Sequence, residues 1–169
     1  MHAVATARYG AAMPSPKLRK GRHSVQGAVY AVTVVTHHRQ ALFRDAALAE
    51  IVRGQVRRSD LEGGSQTHAW VAMPDHLHWL FTLDHGELSA CLRRFKSRSA
   101  RAMNRARGQS GAIWQPGFYD HCLRDDEDLL IQARYILANP VRAGLVTDVR
   151  EYPHWGCQWV PPPIGLDGR

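Results

Sequence analysis

The sequence predicts an α+β fold, one antiparallel β-sheet with helices packed on one face. Three observations carry that expectation. β-Branched and aromatic runs alternate with helical patterns in the order β-α-β-β-α-β-α. The second and third strands are joined only by Met73-Pro74-Asp75, a link short enough to require antiparallel pairing. Residues 88–107 repeat Leu88, Leu92, Phe95, Ser99, Met103 and Ala106 at helical spacing, with Arg94, Arg98, Arg101 and Arg105 on the other side.

The elements follow in chain order. Residues 1–26 mix Gly, Ala, Pro, Ser and basic residues without periodicity and read as a flexible arm, with Arg19, Lys20 and Arg22 in its basic section. Ala28–Thr36 is a buried strand by its β-branched content. Asp45 caps a helix to about Arg58 that places Leu48, Ile51 and Val52 inward, and Gly63-Gly64-Ser65 breaks it. Strands are expected at His68–Ala72 and His76–Leu83. The long helix 88–107 ends at Gly108–Gly111. A short strand over 118–124 precedes a helix capped by Asp125 and running to about Ala138, with Asp126, Glu127 and Asp128 complementing its dipole. Asn139-Pro140 is expected to stop that helix. The domain thus covers 27–146, and the tail 147–169 packs partly on it.

The chain of 169 residues has a real core but no room for two comfortable domains. Its formal net charge of +7 and pI near 9.8 point to a polyanionic partner. No apolar run approaches the roughly 20 residues of a membrane span, and no hydrophobic stretch follows the charged N-terminus, so neither a transmembrane helix nor a signal peptide is expected. Cys91, Cys122 and Cys157 are dispersed, as free thiols in a reducing compartment would be. A cytoplasmic location is the expectation. The sequence leaves monomer and homodimer both open.

His76 and His78 alternate on a strand, so they share one face while Leu77 points to the other. Two imidazoles at that spacing can converge on one divalent metal. They interrupt an apolar segment, and a polar pair there needs a partner. Two half-exposed, hydrogen-bonded histidines at a strand end would read the same way. Tyr135 and Asn139 lie one helical turn apart on one face. An amide oxygen is a hard donor suited to Mg²⁺ or Mn²⁺, and tyrosine forms covalent intermediates. Packing for Tyr135 and helix termination for Asn139 are the plain alternatives.

Four blocks, AWVAMPDHLHWLF, LRRFKSRSARAMNRARG, IWQPGFYDHCLRDDEDL and ARYILANPVRAGLV, resemble the REP-associated tyrosine transposases. That family belongs to the single-tyrosine transposases with a His-hydrophobic-His motif. The likeness runs from about Gly27 to Trp159 with the blocks in the expected order. It implies a ferredoxin-like sheet, His76 and His78 as metal ligands, Asn139 as third ligand, Tyr135 as nucleophile, and Mg²⁺ or Mn²⁺ as cofactor. It further implies single-stranded DNA with short palindromic hairpins as substrate, cut through a 5′-phosphotyrosine.

Other residues compete for roles. Tyr119 and His121 alternate on one strand face and form a rival nucleophile–base pair, with His121 a further polar neighbour of the metal. Asp75 is a turn residue or an orienter of His76. Between Glu87 and Asp120 there is no acidic residue, while Arg94, Lys96, Arg98, Arg101 and Arg105 are basic, which points to phosphate contacts. Trp114, Phe118 and Tyr119 either stack on unpaired bases or pack in the core. Two further functions stay open: a non-catalytic DNA- or RNA-hairpin-binding protein derived from a transposase, and a metal hydrolase using water.

Overall fold

The computed structural model describes residues 24–124 and 127–159. Five strands form one antiparallel sheet: β1 Val29–Val35, β2 Ser65–Met73, β3 His76–Leu83, β4 Tyr119–Cys122 and β5 Trp155–Cys157. Their order is β4-β1-β3-β2-β5. With helices α1 (Ala46–Leu61) and α2 (Leu88–Arg107), the first four strands make the β-α-β-β-α-β unit of a ferredoxin-like fold. Arg19, Lys20 and Arg22 lie outside the described residues, as do Asp125 and Asp126.

Strand alternation divides the core between two faces of the sheet. Leu77, Trp79, Phe81 and Leu83 of β3 pack with Leu48, Val52 and Val56 of α1 and with Leu92, Phe95 and Met103 of α2. These two helices share one face, as expected. The opposite face is covered too. Leu80, with Ala69, Val71 and Met73 of β2, packs against Ala133, Ile136 and Leu137 of helix α3 (Leu129–Leu137), joined by Val149 and Tyr152. The reason lies in the strand composition: residues 69–73 of β2 are all buried, so both its faces must be sealed from water. The tail contributes through the Tyr152 hydroxyl, which donates to the Ala72 carbonyl at 2.8 Å.

Several boundaries differ from the sequence expectation. Strand β2 begins at Ser65 and carries a register shift between Thr67 and Ala69, which obscures its alternation. Helix α1 is capped by Asp45, whose carboxylate accepts from the Ala47 N–H at 2.8 Å, as expected. The third helix is capped not by Asp125 but by Asp128, which accepts from the N–H groups of Leu130 (2.7 Å) and Ile131 (3.3 Å). Asn139-Pro140 does not stop the chain's helical course. Pro140 sits in the first turn of a further short helix, α4 (Asn139–Arg142), where its missing N–H costs nothing.

Candidate active site

His76 and His78 lie on the α3 face of the sheet, in register with Val35 and Thr33 of β1 and with Met73 and Val71 of β2. Both are half-buried. Their Nε2 atoms stand 3.0 Å apart, with the rings nearly perpendicular at 88°. Each ring is held from its other nitrogen. His76 Nδ1 donates to Asp75 Oδ1 at 2.5 Å, and His78 Nδ1 is 2.9 Å from the Thr33 hydroxyl. Fixing Nδ1 in this way turns Nε2 of both histidines toward one point, an arrangement typical of imidazole ligands and their supporting groups.

Asp75 is itself fixed. Its Oδ2 accepts from Arg39 at 3.1 Å, and the Thr36 hydroxyl lies 2.9 Å from its carbonyl oxygen. The residues between, His38 and Arg39, both take left-handed backbone (φ 53°), uncommon for non-glycine residues. Burial opposes ionisation of Asp75, yet the hydrogen bonds and charges of His76 and Arg39 outweigh it and hold the carboxyl below its ordinary range. His78 moves further. Burial first, then the positive charges of His76 and Arg142, push its imidazole down to about 3. It is therefore neutral at physiological pH, the form that donates a lone pair.

Tyr135, on α3, has 46% of its surface exposed, so it is not a core residue. Arg142 lies with its guanidinium carbon 4.0 Å from the centre of the Tyr135 ring. The same guanidinium donates to Asn139 Oδ1 at 2.8 Å, while Asn139 Nδ2 donates to the Ile136 carbonyl at 2.8 Å. The amide is thereby oriented with its oxygen on the Arg142 guanidinium.

Two Nε2 atoms 3.0 Å apart fit a hexacoordinate divalent ion, since ligands at about 2.1 Å subtending roughly a right angle are separated by about that distance. Among the described residues no three His, Cys, Asp or Glu side chains converge on such a point. Asn139 Oδ1 is an oxygen of the hard kind that Mg²⁺ and Mn²⁺ prefer, and here it accepts from Arg142.

The other expected site residues sort differently. Tyr119 pairs with Thr33 across β4 and β1 and so faces the histidine side of the sheet. His121 does not turn to the pair: its Nε2 lies 2.8 and 2.9 Å from the Glu127 carboxylate oxygens. Trp114 is core, buried to 6% exposure, with its indole N–H donating to Ser99 Oγ at 2.9 Å, which removes it as a base-stacking platform. Phe118 packs partly against the same core. Lys96 is not a free phosphate contact. Its ammonium donates to the carbonyls of Gln115 (2.5 Å) and Gly117 (2.8 Å), anchoring the loop before β4, and burial lowers its pKa. Arg98 is tied to Glu62 at 2.5 Å. Arg94, Arg101 and Arg105 are exposed on α2, across the sheet from the histidine pair.

Sequence reasoning missed Thr33, Arg39 and Arg142. The signal for Arg142 was present, because Tyr135, Asn139 and Arg142 sit at i, i+4 and i+7, a single helical stripe.

Residues 24–139 match the family described as IS200-like transposase. The chain belongs to that family. Among transposases, a REP-associated tyrosine transposase of Escherichia coli K12 is 27% identical over 134 residues, covering 78% of each chain. A solved structure of a REP-associated tyrosine transposase bound to a REP hairpin superposes with a TM-score of 0.65. It is 28% identical and covers 79% of both chains. The resemblance drawn from the four sequence blocks is thus borne out, and so is the α+β fold. Family membership marks the chain as a DNA-processing enzyme in kind. No helix among the described residues is long and apolar enough to cross a membrane.

Proposed function

We propose that this transposase-family chain cuts and rejoins single-stranded DNA beside short palindromic, REP-like hairpins through a 5′-phosphotyrosine formed on Tyr135. The observation that carries the reading is the convergence of His76 and His78 Nε2 on the sheet face that α3 covers, the helix bearing Tyr135. The likeness to a protein bound to a REP hairpin supports the substrate class.

His76, His78 and Asn139 would hold Mg²⁺ or Mn²⁺. Such an ion, when bound, polarises a phosphate oxygen and stabilises the charge that builds on it. The chain's own residues do the rest. Asp75 and Thr33 hold the two rings from Nδ1 with their Nε2 atoms toward each other, and the low pKa of His78 keeps it from carrying a second proton. The Tyr135 oxygen forms a bond to phosphorus as the P–O3′ bond breaks. The phenolic proton is released to solvent, and the departing 3′ oxygen takes one up. The phosphotyrosine conserves the phosphodiester, so attack by a 3′-hydroxyl reseals DNA and returns the tyrosine without ATP. The exposed arginines of α2 supply non-specific attraction for the backbone.

The test is covalent trapping. End-labelled single-stranded hairpin DNA from repeats flanking the protein's own gene is incubated with protein and Mn²⁺ and run on a denaturing gel. A slow, protease-sensitive band lost in Tyr135→Phe and His76→Ala is the expected result. Cleavage surviving in Tyr135→Phe would sink the assignment, and cut DNA without attached protein would favour a water-using hydrolase. A second reading, a hairpin-binding protein that does not cut, is favoured by the arginine surface lying apart from the histidine face. Tight binding of several hairpins with no adduct would establish it.

A further inference from the structure

We propose that Arg142 receives the scissile phosphate while fixing Tyr135 and Asn139 in one register, making it a further functional residue of the cleavage site. The inference rests on the strand-cleavage reading above, but its test is separable from that reading.

Three features of Arg142 point the same way. First, it completes the stripe Tyr135–Asn139–Arg142, which continues unbroken because Pro140 opens α4 rather than ending the helical path. Second, one guanidinium touches both partners, with its carbon over the Tyr135 ring and the Asn139 oxygen on one N–H group. An Arg fork has five donors, so its remaining edge is available, and the residue is exposed. Third, the charge has no ion-pair partner among the described residues: no carboxylate there stands within ion-pair distance of Arg142, and Asp75 is already shared by His76 and Arg39.

Packing alone does not account for this placement. A cation with no ion-pair partner among the described residues is compensated when an anion joins it, and a phosphodiester matches the fork with two oxygens. Arg142 would then hold the phosphate at the face of the ring whose oxygen attacks it. The bonds made and broken are those given above; Arg142 transfers nothing.

The experiment uses Arg142→Gln and Arg142→Lys in the full chain. Hairpin substrates carry a neutral methylphosphonate at each linkage of the single-stranded flank in turn. We expect one linkage at which neutralisation weakens binding by wild type but no longer by Arg142→Gln, because the contact is already gone. With an unmodified substrate, adduct formation by Arg142→Gln should fall on the order of 100-fold. Arg142→Lys should recover binding more than rate, since it keeps the charge and loses the fork. Equal sensitivity of wild type and Arg142→Gln at every linkage would overturn the proposal, as would an adduct rate within about twofold of wild type. If wild type forms no adduct on any hairpin, the strand-cleavage reading fails on its own, and the linkage scan still decides whether Arg142 contacts a phosphate.

Discussion

Asp75 and His76, neighbours in sequence, are joined side chain to side chain at 2.5 Å, with Arg39 holding the far oxygen of the carboxylate at 3.1 Å. The turn between β2 and β3 thus both reverses the chain and orients the His76 ring. A carboxylate behind a metal-binding imidazole fixes its tautomer and raises its basicity.

Asp75→Asn should therefore weaken Mn²⁺ binding by about 10–100-fold while the fold persists. Calorimetric titration of Mn²⁺ into the variant checks this. Unchanged affinity would show that Asp75 serves only the turn.

The pH dependence of the metal-free protein follows from His78. Its folded pKa, about 3, lies below the unfolded value near 6.5, so below pH 6.5 the unfolded chain binds a proton that the folded chain refuses. The contribution is whole above pH 6.5 and is lost as pH falls toward 3, at up to about 1.4 kcal/mol per pH unit. His68 and His154, also pushed down by burial, add in the same direction. Urea midpoints should be level above pH 7 and decline below 6.5, less steeply in His78→Gln. An equal slope in that variant would remove His78 from the account.

Ser99 joins α2 to the loop before β4. It accepts from the Trp114 indole at 2.9 Å and donates to the Phe95 carbonyl at 2.7 Å, fully buried. Ser99→Ala leaves the indole N–H without its partner and should cost about 1–3 kcal/mol in chemical denaturation. A loss under about 0.5 kcal/mol would mean that the indole finds another acceptor.

The basic residues of α2 should separate by what they touch. Arg101→Ala with Arg105→Ala should weaken hairpin binding and flatten its salt dependence without altering the melting temperature. Lys96→Met should do the reverse, because its ammonium holds the Gln115 and Gly117 carbonyls. Binding assays across a salt series, paired with thermal melts, distinguish the two.

What was readable in the chain was what burial makes periodic. The one-sided stripe of α2 reached the structure unchanged because that helix has a single face turned to the core, and the His76/His78 alternation did so because Leu77 and Trp79 between and beside them are buried on the opposite face of β3. Strand β2 is buried on both faces and carries a register shift, so its alternation is weak and its extent was underestimated. Three-residue β5 has too little length to show any period. Pro140 misled for a definite reason: proline ends a helix from within but opens one from its first turn, and only the backbone tells these apart. That ambiguity hid Arg142. Lys96 looked like its arginine neighbours because charge is visible in sequence and a carbonyl partner nineteen residues away is not.

The sheet is also a partition. Its apolar thickness stands between the arginines of α2 and the histidine face, and these share no side-chain partner among the described residues. Groups separated in that way respond independently, so losses from changes on the two sides should sum. A descendant could discard Tyr135 or His76 and keep an intact fold with its attraction for DNA. The architecture makes the retirement of an enzyme into a binding protein a short mutational path.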